Sequence, residues 1–173
     1  EQITLTLLEN LKLRALVRKF QVMNYEKAFL FVNGAFVREL AAGMYYFWNN
    51  SITVEVKTID MRMVQMEISG QELLTKDKAA LRINFIVRYQ VNNVVKALVD
   101  NKDYEKQLYV LMQLALRTFV GNFTLDELLS RKDSLAKEIV AEATTKISDL
   151  GLIVLDAGIR DVILPGDMKE IMN

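Results

Sequence analysis

Between Ala79 and Val91 the chain alternates with a period of two over a length that no helix accommodates. Leu81, Ile83, Phe85, Val87, Tyr89 and Val91 fall on one side, and Ala80, Arg82, Asn84, Ile86, Arg88 and Gln90 on the other. Successive side chains of a strand point to opposite faces. Wound as a helix, the same residues would scatter the apolar set around the whole cylinder. The segment is therefore a strand with one buried face and one largely exposed face, as in an antiparallel sheet covered on one side. Just before it stands Gln71-Glu72-Leu73-Leu74-Thr75-Lys76-Asp77, which reads as a turn presenting charge.

Other segments support an all-antiparallel start to the chain. Residues 27 to 33 place Ala28, Leu30 and Val32 on one face and Phe29 and Phe31 on the other. Asn33-Gly34 is a strong hairpin turn, because both residues tolerate positive φ, and 35 to 40 is the returning strand. Gly43 precedes the aromatic run Tyr45-Tyr46-Phe47-Trp48, which suits either the edge of a core or a membrane interface. Residues 52 to 59 alternate again, and 60 to 68 read as a further extended stretch.

The period then changes. Leu108, Leu111, Met112, Ala115, Leu116 and Phe119 form one helical stripe, closed near Gly121. Thr124 with Glu127 three residues on is a capping-box signal, and Ser130 to Asp133 reads as the start of a next helix. That helix carries Leu135, Ile139, Ala143 and Ile147 inward and stops at Gly151. Leu152 to Ile159 is a last strand. Pro165-Gly166 turns the chain, and Asp167 with Glu170 reads as a helix start. Residues 3 to 20 carry Leu7, Leu8, Leu11, Leu16, Val17 and Phe20 beside Lys12, Arg14, Arg18 and Lys19, a pattern for an amphipathic helix packed on protein or lying on a membrane surface. Strands followed by helices, one strand and a helix give an α+β domain with helices packed on one side of a mainly antiparallel, twisted sheet.

Composition excludes whole classes of chemistry. The 173 residues include no Cys and no His. Thiolate sites, disulfides and any Ser-His-Asp or Cys-His arrangement cannot be built within this chain. The glycines are scattered, without a phosphate-binding loop. Lys plus Arg and Asp plus Glu are 22 each, for a formal net charge of +0, which argues against nucleic acid as a partner. Arg82 and Arg88 share a strand face, but no aromatic residue alternates with them there to stack bases. Asp126 with Glu127, or Asp156 with Asp161, could in principle serve acid-base chemistry, but helix capping explains Glu127 without it. Lys76 in a polar turn stays solvated and protonated, which is poor for a nucleophile. No cofactor or metal is implied, and no apolar run reaches the roughly 18 residues that span a bilayer.

Three blocks resemble the stomatin/prohibitin family, also called the SPFH or band-7 family, in its slipin or stomatin-like branch. The first is Asp60-Met61-Arg62, then Gln71 to Asp77, then the strand ending Arg88-Tyr89-Gln90-Val91. The second is Leu116-Arg117 with Gly121, Leu125, Leu128-Leu129 and Arg131. The third is Gly151-Leu152-Ile153-Val154, then Ile159-Arg160-Asp161-Val162, then Leu164-Pro165 and Met168. Together they cover about residues 25 to 173. Where stomatins have a Gly-Pro-Gly-like turn before the aromatic stretch, this chain has Ala41-Ala42-Gly43.

The resemblance implies a non-enzymatic, membrane-associated scaffold that self-assembles and organises membrane microdomains or membrane protein complexes. The alternative reading is a regulatory binding module of a membrane protease or channel. The expected organisation is an amphipathic segment over 1–24, the SPFH domain over 25–166 and the start of a helix over 167–173. Attachment to the membrane is expected through a segment outside this stretch, which itself reads as soluble. Expected partners are further copies of the chain, membrane lipids, and a membrane protease or channel. Candidate interface residues are Arg62, Lys76, Asp77, Arg82, Arg88, Arg117 and Arg131. Candidate membrane-proximal residues are Tyr45, Tyr46, Phe47 and Trp48.

Overall fold

The computed structural model describes residues 15–69 and 72–164. The chain forms two compact units, the first ending at Arg62 and the second beginning at Met63. In the first unit, β1 (Val17–Val22) pairs antiparallel with β4 (Gly43–Trp48), so that Val17 faces Trp48 and Val22 faces Gly43. A second sheet places β2 (Glu26–Val32) between β3 (Ala35–Leu40) and β5 (Val54–Asp60). Val22, Ala28, Leu30, Leu40 and Phe47 are the buried centre of this unit. Asn33 and Gly34 have φ of 49° and 80°, the positive pair that a two-residue turn needs to match the twist of its strands.

The helical reading of residues 3 to 20 does not hold for its described end, because Val17–Val22 is a strand. Its spacing is ambiguous: Val17 and Phe20 fit a helical stripe, but Phe20 and Val22 fit a period of two. The aromatic β4 decides the matter by offering a full ladder and an edge-on ring contact between Phe20 and Phe47, with centroids 6.1 Å apart. Residues 3 to 14, and the turn and helix start at 165 to 170, lie outside the described residues.

The second unit is built on β8 (Ala80–Val91). Along one edge lie β6 (Val64–Ile68) and β7 (Glu72–Leu74), along the other β9 (Leu152–Ile163), all antiparallel to β8. Helices α1 (Tyr104–Gly121), α2 (Leu125–Ser130) and α3 (Lys132–Asp149) pack on one side of this sheet. The side chains of Leu81, Ile83, Phe85 and Val87 are sealed from water, as are Leu108 and Met112 of α1 and Leu135 and Ile139 of α3. This is an α+β architecture with antiparallel sheets. The last strand is longer than its sequence pattern suggests, running unbroken to Ile163 by way of register shifts opposite Asn84/Phe85 and Arg88/Tyr89.

Capping follows local chemistry at α2 and departs from it at α3. The Thr124 hydroxyl accepts the Glu127 N–H, and the Glu127 carboxylate accepts the Thr124 N–H at 2.9 Å, which closes the capping box. The expected cap at Ser130 is absent. Its hydroxyl instead donates back to the Glu127 carbonyl at 2.8 Å, and Arg131 precedes α3 without a side-chain cap. The short α2 leaves no room for a fresh turn before α3, so Ser130 is spent on ending one helix rather than starting the next.

Tyr89 gives the second unit a testable alkaline edge. It is 2% exposed, and its pKa is pushed up to about 12, chiefly by burial, with Glu105 and Tyr104 adding to the shift. An unfolded tyrosine releases its proton near ~10, so the neutral folded phenol contributes stability below that pH. The contribution is lost as pH rises from about 10 to about 12. Urea unfolding across this window is expected to show a steeper loss for the native chain than for Tyr89→Phe.

Candidate functional site

The turn before β8 is more a clasp than a free charged loop. Thr75 is 3% exposed. Its hydroxyl accepts the Ala79 N–H at 2.9 Å and donates to the Asp77 carboxylate at 2.5 Å. The same carboxylate accepts the Leu125 N–H at 3.2 Å, at the first residue of α2. Lys76 donates its backbone N–H to the Phe123 carbonyl at 2.8 Å while its side chain stays exposed. Arg131 stacks its guanidinium over the Phe123 ring at 4.7 Å and pairs with Glu138 at 3.4 Å. Lys76, Asp77 and Arg131 therefore meet at one corner, around Phe123 and the start of α2.

This geometry shifts Asp77 downward. The Thr75 hydroxyl is the main cause, and the Leu125 N–H adds to it. A carboxyl held below its ordinary value contributes stability above the unfolded carboxylate range, and that contribution fades as pH falls through the lowered folded value. Replacing Thr75 with valine keeps the shape but deletes the hydroxyl. It is expected to cost about 1–3 kcal/mol, read by urea unfolding, and to weaken the acid-dependent part of the stability.

The open face of the β8 sheet carries a cross-strand polar lattice. Arg88 stands opposite Gln65 of β6 and Asp156 of β9. It donates to the Gln65 amide oxygen at 3.2 Å and lies 3.6 Å from the Asp156 carboxylate. Arg160 reaches across to Glu67 at 2.6 Å, and Asn84 donates to Asp161 at 3.2 Å. Arg82 is exposed on the same face, opposite Glu72 of β7 and Ile163 of β9. Charges of both signs are thus ordered over one sheet surface. Arg160 and Glu67 were not legible as a site, because their pairing joins positions 93 apart in sequence.

The remaining candidates are spread out. Arg117 is exposed on α1. Arg62 lies in the first unit, where its guanidinium forks onto Asp60, with a closest approach of 2.6 Å, and stacks on Tyr25 at 3.9 Å. That fork holds the Asp60 carboxyl below its ordinary range and raises Arg62 further. In β4, Phe47 is 5% exposed and belongs to the core, and Tyr45 packs against that core with its hydroxyl on the Ala41 carbonyl at 2.6 Å. Alternation puts Tyr46 on the other side of the strand, and Tyr46 and Trp48 are both half-buried.

No cluster of three or more potential metal ligands occurs among the described residues. No helix among them is long and apolar enough to cross a membrane. What the geometry offers is ordered charge on a rigid sheet, which suits recognition of another protein surface.

A family model described as the SPFH domain / Band 7 family matches residues 20–173. A stomatin homologue of Pyrococcus horikoshii is 32% identical over 154 residues, covering 87% of this chain and 56% of the relative. Mouse stomatin is 28% identical over 151 residues, covering 87% of this chain and 53% of the relative. Mechanosensory protein 2 of Caenorhabditis elegans is 24% identical over 151 residues, covering 87% and 31%. The chain spans about half the length of most of these curated relatives.

Proposed function

The chain belongs to the SPFH domain / Band 7 family, in its stomatin-like branch, and from that premise we propose that it is the self-associating domain of a membrane-attached scaffold. Domains of this family are generally non-catalytic, and the family is known for scaffolding and microdomain organisation. The observation that carries the reading for this chain is the ordered lattice of Arg88, Asp156, Arg160 and Glu67 on an open sheet face. Such a face gives geometric specificity to copy-on-copy contact without chemistry.

Arg82 and Arg88 contribute from the sheet, and Lys76, Asp77 and Arg131 from the corner at α2. Arg117 and Arg62 present charge from α1 and from the first unit. The membrane contact is made by the whole protein, with Tyr46 as the outward aromatic residue of β4. A membrane protease or channel regulated by the assembly would bind as a client of the scaffold.

The test is to extract the full-length protein from membranes in mild detergent and measure its mass. A large homo-oligomer supports the reading, and Arg88→Glu is expected to reduce its mass by placing two acids opposite each other. A small protein that stays in the soluble fraction contradicts it. A client would co-purify at a fixed ratio.

A further inference from the structure

The first unit contains a groove of about 370 Å³ in which Trp48, the chain's single tryptophan, is a wall residue. Leu30, Val32, Val37, Phe47, Ile52 and Val54 make the rest of its apolar lining, with Val37 and Ile52 exposed. A volume of this order lies in the range of small-molecule sites, which combine apolar walls with a few placed polar groups.

The polar side chains of the lining are Arg38 and Asn50. Arg38 is the one charged residue of the lining. It stands opposite Leu30 in the β2–β3 ladder, as Leu40 stands opposite Ala28. Directly opposed residues share a face of the sheet, so Arg38 projects on the same face as the core. Its neighbour Glu39 is engaged elsewhere, 3.6 Å from Lys27. Asn50, also in the lining, uses its side-chain oxygen to accept the Ile52 N–H at 3.0 Å and the Arg18 guanidinium at 3.2 Å. That leaves its NH2 as the end able to donate to a ligand. Arg18 places a second positive charge behind the same loop, where its Nε is buried without a partner.

We propose that this groove is a binding site for a single-chain fatty carboxylate. The hydrocarbon chain lies along Leu30, Val32, Phe47 and Val54, and the carboxylate is held by Arg38 and the Asn50 amide. The pairing of a wholly apolar wall with donors and positive charge, and with no acid in the lining, selects an anionic amphiphile over a neutral lipid or a cation. The site stands on the groove alone and holds or falls independently of the scaffold reading.

Trp48 reports occupancy directly. The full chain is titrated with ω-bromoundecanoate, whose bromine quenches tryptophan fluorescence on contact. Saturable quenching with one site per chain is expected, weakened about tenfold in Arg38→Gln. Arg38 is exposed, so this variant keeps its fold. The neutral ω-bromoundecanol is expected to bind about tenfold less tightly than the carboxylate, and Val54→Phe, which fills the groove, is expected to abolish saturation. Non-saturable quenching, or equal quenching of the native chain and Arg38→Gln, would overturn the site. So would quenching seen only with vesicles of brominated anionic phospholipid, which would mean contact with a bilayer surface.

Discussion

Gly151→Ala is expected to destabilise the second unit by roughly 3–6 kcal/mol, enough to unfold it or leave it marginal. Gly151 joins α3 to β9 at a φ of +76°. A Cβ there would lie 2.3 Å from the Asn93 carbonyl oxygen and 2.8 Å from the Ala97 nitrogen, both backbone atoms that cannot swing aside. The same residue's carbonyl accepts the N–H groups of Asn92 and Asn93, so any retreat breaks the link between the end of β8 and the π-helical turn Lys96–Asp100. Gly34→Ala is the internal control. It has a similar φ of +80° but nothing within 4 Å of the added atom, so only the backbone strain remains, about 1–2 kcal/mol. Hydrogen exchange of the β8 amides in Gly151→Ala, and of the β2 amides in Gly34→Ala, separates the two. A Gly151→Ala chain as protected as Gly34→Ala would refute the crowding argument.

Phe85→Ala is the second large effect, expected at about 3–5 kcal/mol. Phe85 sits at the middle of β8 at 0% exposure, with strands on both edges and helices over its face. Its neighbours are held by two ladders, so they have little freedom to close the cavity that truncation leaves. Ile86→Ala, one residue on and on the opposite face, removes a half-buried side chain and is expected to cost about 1 kcal/mol. Urea midpoints reported by exchange of β8 amides should rank the two in that order. Equal effects would mean that the period-two assignment of the faces is wrong.

The parts of the fold that were legible in sequence are those where one local force dominates. The alternation of 81 to 91 marked β8 and its buried face, and Thr124 with Glu127 marked the start of α2, because the capping box is a local bond pair. Asn33-Gly34 marked its turn because only positive φ fits there. What escaped depended on partners far along the chain. Val17–Val22 is a strand because β4 pairs with it, and Ser130 fails as a cap because α2 and α3 nearly abut. Among the candidate residues, exposure was foreseeable and partnership was not. Arg88 gains its role from Gln65 and Asp156, on two different strands, and Asp77 from a helix start that its own neighbourhood does not contain. Arg38 carries no sequence signal, because a lone arginine in an edge strand has no pattern around it. Only the register with Leu30 shows which way it faces.

The proposed scaffold requires that many copies of this domain assemble in the membrane that the full-length protein occupies. The direct measurement is to count copies per spot by stepwise photobleaching of the fluorescently tagged full-length protein in native membranes. The expected result is spots that bleach in many steps, with fewer steps for Arg88→Glu. Single-step spots throughout the membrane, or a signal confined to the soluble phase, would contradict it.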